Sequence, residues 1–422
     1  MELFTGWQYL LIDVANQAGH DKLLFAERIQ WTLDRLDQLE ALADAIKPKD
    51  RPLYLKAVMA VRRAQAGQSS GHLVAFDAVC SGLQIMSAVT GCPDGARATG
   101  LIDTGKRPDA YTEATERMGF LLGSDIVLDR DKIKKGVMTR FYGSRAEPLK
   151  LFGKDTPELA AFYEALTLMA PGACDLLQVL LDSWDHQTLA HQWLLPDGHL
   201  ARVKVMVQKQ TTIEVDELDG LTFEYVYDNN EASMKRREVP TLANVANVVH
   251  SLDAYVLRSL LRRCNYDPRV ASRAHDLIEA ELLERSLEGK QPEPVEPGSW
   301  EEWATLASRW EATRMADVAI LPWLNAITVG AMDEAHLRQL KRVLNTMLLY
   351  KPFPVITIHD SFAAHPNHLN WVRHWYKELL AELAESTVID DILSQLYGFK
   401  GHFQRRSPDL AEHIRASEYA LS

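Results

Sequence analysis

Two apolar runs of this chain each end in an aspartate: VITIHDSF at residues 355–362 and LVAFD at residues 73–77. The alternating β-branched residues of the first run and the apolar residues of the second each predict a β-strand. Burying an unpaired carboxylate is costly, and metal coordination is one of the few arrangements that offset this cost. Asp77 and Asp360 therefore predict a site for two metal ions, the arrangement that many phosphoryl-transfer enzymes use.

Each aspartate alone has a simpler explanation. Asp is a common N-cap residue, whose side chain accepts a hydrogen bond from the first turn of a helix. The hypothesis of a metal site therefore depends on further groups in the sequence that would act on the same substrate.

Composition limits the class of protein. The chain has 422 residues, of which 47% are hydrophobic, enough for a large core and for two or three lobes. No apolar run reaches the ~18 residues of a membrane span, and the N-terminus lacks the basic and apolar regions of a signal peptide. The four cysteines show no C-x-x-C spacing and are typical of reduced thiols in a cytosolic protein.

The net charge of −12 argues against a protein that holds nucleic acid through its overall charge. Basic residues nevertheless cluster locally, for example within residues 130–145. An acidic outer surface is compatible with a basic channel, although a solvated helix face is the simpler interpretation of any one cluster.

Hydrophobic periodicity divides the chain into mainly helical segments. Residues 7–66 and most of residues 81–195 have helical periodicity. Between residues 202 and 227 the period changes to two, and the acidic turn at residues 216–220 predicts a β-hairpin.

The C-terminal half is predicted to be helical again after Pro240. Three prolines within residues 289–299 indicate a linker, which interrupts an acidic helical stretch near 265–345. A strand at residues 353–358 leads to Asp360, and a helical segment ends the chain.

A third motif, RDKIKKGVMTRFYGS at residues 130–144, lies between the two aspartates. Arg130 and Lys134 are four residues apart, so on a helix they share one face. A planar guanidinium and a compact ammonium on one face suit a triphosphate. An isolated R-x-x-x-K pair is more often a solvated helix face, and only the full spacing to Tyr142 and Gly143 favours a binding role.

The motifs at residues 77–84 (DAVCSGLQ), 130–144 and 359–362 (HDSF) together resemble motifs A, B and C of the single-subunit RNA polymerases of T-odd phages, mitochondria and linear plasmids. The resemblance implies an α+β, mainly α fold with the right-hand palm and fingers of the DNA polymerase I-like superfamily. It implies a DNA-dependent RNA polymerase, a nucleotidyltransferase that binds a DNA template, its RNA product and ribonucleoside triphosphates.

The same resemblance implies a metal centre with two Mg²⁺ ions, with Mn²⁺ as the alternative. Asp77 and Asp360 would be the ligands together with the backbone carbonyl of Ala78. The chain departs from the family pattern at Ala78, Val79 and Ile85, where the family usually has Gly, Ser and His. These departures keep the metal ligands but put the detail of their surroundings in doubt.

The resemblance also assigns roles around the nucleotide. Arg130 and Lys134 would bind its phosphates, and Tyr142 would cap the pocket at the end of the fingers helix. Related DNA polymerases carry a bulky Glu five residues after the first aspartate, where this chain has Gly82 and leaves room for a ribose 2′-hydroxyl. NVVHSLD at residues 247–253 matches a family segment whose histidine recognises that hydroxyl, so His250 is expected to do so; the alternative is a helix histidine with internal partners.

The resemblance extends over nearly the whole chain, from residues 9–29 to a C-terminal tail at 417–422 that is expected to fold back towards the active site. It divides the chain into four parts: a helical palm-associated segment (1–70), palm with motif A (71–95), fingers with motif B and the hairpin at 202–227 (96–250), and palm with motif C, the acidic insertion near 265–345 and a C-terminal foot (251–422).

The resemblance implies that the family's N-terminal domain, thumb and Asp-x-x-Gly-Arg motif would precede the region where this sequence starts, and the sequence contains no Gly-Arg dipeptide. The chain resembles the larger, catalytic subunit of the two-chain RNA polymerase of Enquatrovirus-like phages. We therefore expect a heterodimer, in which a second subunit supplies the thumb and the Gly-Arg element, in the cytoplasm of a phage-infected bacterium. The alternative is a fragment of a longer chain, against which Met1 is a mild argument.

The predicted hairpin occupies the place where promoter-reading relatives insert a hairpin into DNA, but its tip carries Asp216, Glu217 and Asp219. Acidic residues are unfavourable next to phosphates, so we expect recruitment to melted template through a single-stranded-DNA-binding protein. Two other functions are weighed: a primase-like or DNA-synthesising polymerase, and a degenerate polymerase that serves only as a nucleic-acid-binding or scaffold subunit.

Overall fold

The computed structural model describes residues 1–47, 50–123, 129–185, 187–232, 243–289, 291–293, 295 and 300–422, with backbone only at 206–209 and 226–232. The described part is mainly helical with small antiparallel sheets, which confirms the α+β, mainly α class. Within it, no single helix is long and apolar enough to cross a membrane, and the one pair that reaches the required length and composition, residues 157–169 with 171–182, is bent by 109°.

The N-terminal segment is helical, as predicted for residues 7–66. It comprises α1 (Gly6–Ala15), α2 (Phe25–Leu33) and α3 (Arg51–Gln65), separated by short irregular helical turns. Thr5 begins α1 with a capping box, since its side chain accepts from the backbone of Gln8 while the Gln8 side chain accepts from the backbone of Thr5. Helix α1 is buried along almost its whole length and forms part of the core behind the sheet described below.

Strand β1 (Val74–Asp77) leads into a group of seven helices. They are α4 (Ser81–Val89), α5 (Pro93–Ala98), α6 (Ala110–Leu122), α7 (Arg130–Arg140), α8 (Ala146–Phe152), α9 (Pro157–Met169) and α10 (Pro171–Asp182). Asp109 caps the N-terminus of α6 and Thr156 that of α9, each accepting hydrogen bonds from the first turn.

Two hairpins follow, formed by β2 (Ala190–Leu194) with β3 (Leu200–Lys204), and by β4 (Met206–Val215) with β5 (Leu221–Ala232). The predicted turn at residues 216–220 is confirmed, and Asp219 and Gly220 have the positive φ angles that such a turn needs. The predicted bounds of 202–227 are wrong: the strands span 206–232, and residues 202–204 belong to the earlier hairpin. Strand β2 also corrects the helical prediction, since Trp193 alternates with exposed neighbours into the core.

The remaining helices are α11 (Ala243–Cys264), α12 (Pro268–Glu288), α13 (Glu301–Thr313), α14 (Ala326–Ala331), α15 (Glu334–Met347), α16 (Leu369–Glu385), α17 (Val388–Tyr397) and α18 (Leu410–Ala416). The helical prediction for 265–345 is confirmed where the structure describes it, and most of the proline-rich linker at 289–299 lies outside the described residues. The predicted strand at 353–358 is shorter, since it begins at Ile356.

A three-stranded antiparallel sheet joins the two aspartate-tipped segments. Its order is β1, then β7 (Ser361–Ala364), then β6 (Ile356–Ile358). Phe76 and Phe362 are paired in register and buried on one face, where the Phe362 ring lies 5.3 Å from the Tyr376 ring of α16. The opposite face carries Asp77 and remains open.

Candidate active site

The sheet brings Asp77 and Asp360 together although they are far apart in sequence. Asp77 is paired with Ser361, the residue after Asp360, and the backbone N–H of Ala78 donates to the carbonyl of Asp360 at 3.0 Å. Asp360 lies in the tight turn between β6 and β7, where His359 has the left-handed φ of 54°. The register of a single strand pair therefore sets the positions of both carboxylates.

The C-terminal tail packs against the same segment, as expected from the sequence. Leu421 forms a β-bridge with Ala78, and the N–H of Ser422 donates to the carbonyl of Asp77 at 3.1 Å. The amide of Gln84 in α4 donates to the carbonyl of Ala420 at 2.8 Å. The tail thus braces the backbone on the side of β1 away from β7.

A cleft of ≈ 550 Å³ opens beside the two aspartates. Six of the residues singled out in the sequence line it: Asp77, Ala78, Gly82, Lys134, Tyr142 and Asp360. Residues from all three motifs therefore face one space.

The two other predicted residues lie in the immediate surroundings. His250 of α11 lies behind Tyr142, with 4.6 Å between the ring centroids. Arg130 does not line the cleft; its guanidinium forms an ion pair with Asp109 and donates to the hydroxyl of Thr112 at 3.1 Å. In this structure Arg130 ties α7 to the start of α6.

The carboxylates in and beside the cleft carry an electrostatic penalty. Burial, together with the charge of Asp77, raises the pKa of Asp360. Burial and the charge of Asp360 also raise the pKa of Asp253, in α11, to about 6. The Ser81 side chain partly offsets this effect by lowering the pKa of both acids. A cation would relieve this repulsion.

The donor set fits a hard divalent ion. Magnesium is commonly held by one or two protein carboxylates together with substrate phosphates and water, and Asp77 and Asp360 offer such a pair at the edge of the cleft. No cluster of three or more His, Cys, Asp or Glu side chains suited to a metal occurs within the described residues, so the remaining ligands would come from backbone, substrate and water.

Gly82 fits closely against the nucleotide side of the cleft. A Cβ atom on Gly82 would lie 3.0 Å from the hydroxyl oxygen of Tyr142 and 3.3 Å from a methyl of Val249. Burial, followed by the charge of Asp253, raises the pKa of Tyr142 to about 12, so its hydroxyl stays protonated at neutral pH. Any side chain at position 82 would displace Tyr142.

Four further residues at the site were not predicted to act there. Lys22 and Arg107 line the cleft opposite α7, and Tyr111 lies under Lys134, whose Nζ is 5.5 Å from the ring centroid. The fourth is Asp253. Lys22, Tyr111 and Asp253 fall in segments that resemble the family and could have been chosen on that ground, whereas nothing in the sequence marks Arg107.

Two comparisons with known proteins match parts of the chain. Residues 4–150 match the family model described as DNA-dependent RNA polymerase. The chain is 29% identical over 242 aligned residues to the DNA-directed RNA polymerase of Pseudomonas phage phiKMV. That alignment covers 46% of this chain and 29% of the relative, so the chain spans less than a third of the length of the relative it matches.

The family match includes Asp77, Gly82, Lys134 and Tyr142, and ends before Asp360. Both matches are to RNA polymerases, the enzyme class predicted from the sequence. Over the segment that carries motifs A and B, this chain is therefore similar to the DNA-dependent RNA polymerases.

Proposed function

We propose that this chain is the catalytic core of a DNA-dependent RNA polymerase, which transfers ribonucleotides to the 3′ end of an RNA on a DNA template. The observation that carries the proposal is the meeting of Asp77, Asp360, Lys134 and Tyr142 in one cleft, with Gly82 directly against Tyr142. Metal coordination would use Asp77 and Asp360, phosphate binding would use Lys134, and ribose selection would use Tyr142 and Gly82. All five residues line the cleft.

The architecture is interpreted as a right hand. The palm would be the sheet β1-β7-β6 with α16 beneath it, and the fingers would be α6 to α10. In this proposal the palm comprises residues 71–95 and 251–422 and the fingers residues 96–250. The position of the cleft between the sheet and α7 supports such a division.

Asp77 and Asp360, with the carbonyl of Ala78, would hold two Mg²⁺ ions, or Mn²⁺ as the alternative. When bound, the ions would activate the 3′-hydroxyl and neutralise charge on the triphosphate. Lys134, held over Tyr111, extends its ammonium into the cleft and would bind the phosphates as a point charge. Arg130 would contribute to phosphate binding only by exchanging its Asp109 partner for the nucleotide.

Ribose selection would depend on Gly82, Tyr142 and His250. The protonated hydroxyl of Tyr142 is a hydrogen-bond donor beside the space that Gly82 leaves free. Burial lowers the pKa of His250, so its ring is neutral near pH 7 and can pair with a hydroxyl. A site with polar groups aimed at the 2′-hydroxyl would discriminate against deoxyribonucleotides, because those groups would then lack a partner.

We further propose that a second polypeptide completes the palm and supplies the thumb and the Gly-Arg element. Strand β6 is an edge strand of the described sheet, with Ile356 and Ile358 exposed by 53% and 69%. Exposed apolar edge strands are typical sites of strand addition.

Recruitment and location follow from the same proposal. The hairpin β4–β5 has an acidic tip at residues 216–219, which disfavours contact with duplex phosphates. Loading onto melted template by a single-stranded-DNA-binding protein, in the cytoplasm of an infected bacterium, would suit such a surface.

The test is synthesis by the chain purified from its native source, with and without the polypeptide that co-purifies. Primed single-stranded DNA, Mg²⁺ and labelled ribonucleotides should give template-dependent RNA only when both polypeptides are present. Full activity of the chain alone would contradict the need for a second polypeptide but would support the catalytic assignment.

The same assay separates the alternatives. Preferential use of deoxyribonucleotides would favour a DNA-synthesising or primase-like polymerase. Binding of primed template without any synthesis, equal in the parent chain and in Asp360→Asn, would favour a degenerate subunit and would falsify the catalytic proposal.

A further inference from the structure

A second pocket, of ≈ 340 Å³, lies on the far side of α7 from the cleft. Its walls are formed by the end of α7, the loop after it and helices α9 and α10, through Arg140, Arg145, Tyr163, Leu166, Thr167 and Cys174. Lys134 and Met138 are one turn apart on the side of α7 that lines the cleft. Arg140 is two residues beyond Met138, about 200° around the helix, and therefore points the other way.

The charge in this pocket is unbalanced. Neither Arg140 nor Arg145 forms an ion pair with a carboxylate in the part of the chain that the structure describes, and the Nη1 of Arg140 is buried without a hydrogen-bond partner. Burial lowers the pKa of Arg140, and the charge of Arg145 lowers it further. Two guanidinium groups therefore line one pocket without a carboxylate partner among the described residues, and one buried N–H of Arg140 lacks an acceptor.

Two other arginines near the fingers helices are paired with carboxylates. Arg130 and Arg117 each have a carboxylate, Asp109 and Glu113 respectively. A buried donor that lacks a partner is destabilising unless a ligand or water supplies an acceptor. The acceptor that suits two neighbouring guanidinium groups is an oxyanion, because their N–H groups match its oxygen atoms in pairs.

The position of the Tyr163 ring in the pocket limits which ligands can bind there. The guanidinium carbon of Arg140 lies 5.0 Å from the ring centroid of Tyr163, so a ring face is already covered by a cation. Phe162 contacts the same ring edge-to-face at 5.6 Å. Tyr163 is therefore poorly placed to stack on a base, and the pocket offers recognition of an anion without recognition of a base.

We infer that this pocket binds a backbone phosphate of a single-stranded nucleic acid, one helix diameter away from the cleft. The inference deepens the proposed function, on which it rests, by adding a second point at which a strand is held. A contact to phosphate alone carries no base information, which suits an enzyme that must pass any template sequence. Arg145, which is exposed, would meet the phosphate from solvent, and Arg140 would fix it from below.

The test is the salt dependence of binding, measured by fluorescence anisotropy with a labelled single-stranded DNA oligonucleotide in EDTA. Arg145→Ala should weaken binding about tenfold near 0.1 M salt and reduce the slope of log K against log salt by ~0.7, the loss of one phosphate contact. The double variant Arg140→Ala/Arg145→Ala should weaken binding further. Arg140→Lys keeps the charge but loses the paired donors, so it should weaken binding while leaving the slope unchanged.

Lys150→Ala is the matched control, because it removes one exposed positive charge from α8 outside the pocket. Equal losses in Lys150→Ala and Arg145→Ala would reduce the effect to general electrostatics and overturn the inference. So would unchanged binding in the double variant when its circular dichroism matches that of the parent.

Inorganic phosphate distinguishes a strand from a free anion. Thermal stabilisation by phosphate that disappears in the double variant, combined with unaltered oligonucleotide binding, would assign the pocket to a small anion and overturn its assignment to a strand. Because EDTA prevents synthesis and the readout is binding, a failed polymerase assay and a failed strand contact give separate results.

Discussion

The two halves of helix α11 place acidic groups in opposite electrostatic settings. Near its middle, Asp253 lies close to Asp360, and burial together with the charge of Asp360 raises its pKa to about 6. Towards its end, Arg258 and Arg262 bind Asp197, whose side chain is 1% exposed and whose pKa their hydrogen bonds and charges hold below the usual value.

Arg262 also pairs with Asp317, which is equally buried and accepts a hydrogen bond from Ser259 at 2.8 Å. Carboxylates at this end of α11 thus have their countercharges within the protein. Asp253 and Asp360 form no such ion pair within the described residues, and the charge of Asp360 raises the pKa of Asp253, which is the arrangement expected where a bound cation supplies the balance. The comparison teaches that a buried carboxylate with internal ion pairs, such as Asp197, is structural, whereas one repelled by a neighbouring carboxylate is a candidate functional acid.

The largest expected effect is on the rate of RNA synthesis, which should depend on the acids of the cleft. Asp360→Asn should reduce ribonucleotide incorporation by about 10³-fold or more, because a lost metal ligand removes several kcal/mol of transition-state stabilisation at ~1.4 kcal/mol per tenfold. Primer extension with saturating ribonucleotides measures it. Asp276→Asn, at a side chain that is 83% exposed, is the control and should leave the rate unchanged. Comparable losses of incorporation rate in Asp360→Asn and Asp276→Asn would contradict a special role of Asp360 in synthesis.

The second prediction concerns the free energy of unfolding, on which a substitution of Asp197 should have a larger effect than one of Asp360. Asp197→Asn should lower the free energy of unfolding by about 3 kcal/mol, because it leaves two partly buried arginines without their shared acceptor. Asp360→Asn should leave stability unchanged or slightly higher in EDTA, since it removes a repelled charge. Urea denaturation followed by circular dichroism compares the two. A destabilised Asp360→Asn variant would mean that this carboxylate has a structural partner after all.

A smaller effect is expected at the glycine that faces Tyr142. Gly82→Glu should reduce ribonucleotide use by about 10²-fold, since its Cβ alone would lie 3.0 Å from the Tyr142 hydroxyl. Gly82→Ala should give an intermediate loss. Competition between ribo- and deoxyribonucleotides on one primed template measures the ratio. Unchanged incorporation of ribonucleotides in Gly82→Glu would refute the proposed selection.

The smallest effect is a difference in the pH dependence of stability. Because the folded-state pKa of Asp253 is raised, its contribution is fully present below pH ~4 and is lost as the pH rises through about 6. Asp253→Asn should therefore gain stability relative to the parent over that window, by on the order of 1 kcal/mol after allowing for solvent screening.

Asp197 should behave in the opposite sense. Its folded-state pKa is lowered, so its contribution is present above pH ~4 and is lost as the pH falls through the folded value. Denaturation in EDTA at several pH values measures both. Parallel pH profiles for Asp253→Asn and Asp197→Asn would show that the two ends of α11 do not differ.

Much of the fold followed from local pattern. The strands at Asp77 and Asp360, the helices flanking them and the turn at residues 216–220 were predictable, because each has a clear period or turn residues. Strand β2 was not, since five residues with a single alternation around Trp193 are too short to distinguish from a helix end. The start of β4 was misplaced because two hairpins follow each other with only Val205 between them.

The candidate site was predictable as a set of residues but not as a set of contacts. The ion pair of Arg130 with Asp109 depends on how α7 packs against α6, and neither helix encodes that alone. Asp253 was visible in the sequence, yet its raised pKa arises from Asp360, which approaches it only in the folded chain. The pocket at Arg140 likewise combines three helices.

The sequence by itself determined which residue types the chain possesses, the periods that make them strands or helices, and the order of the three motifs. The tertiary structure decided which of those residues meet. Antiparallel pairing of β1 with β7 brings Asp77 beside Asp360. The packing of α11 brings Asp253 under the influence of Asp360, while it gives Asp197 two arginine partners. The physical reason is that period and propensity act between near neighbours, whereas charge compensation depends on distances that only the packed chain fixes.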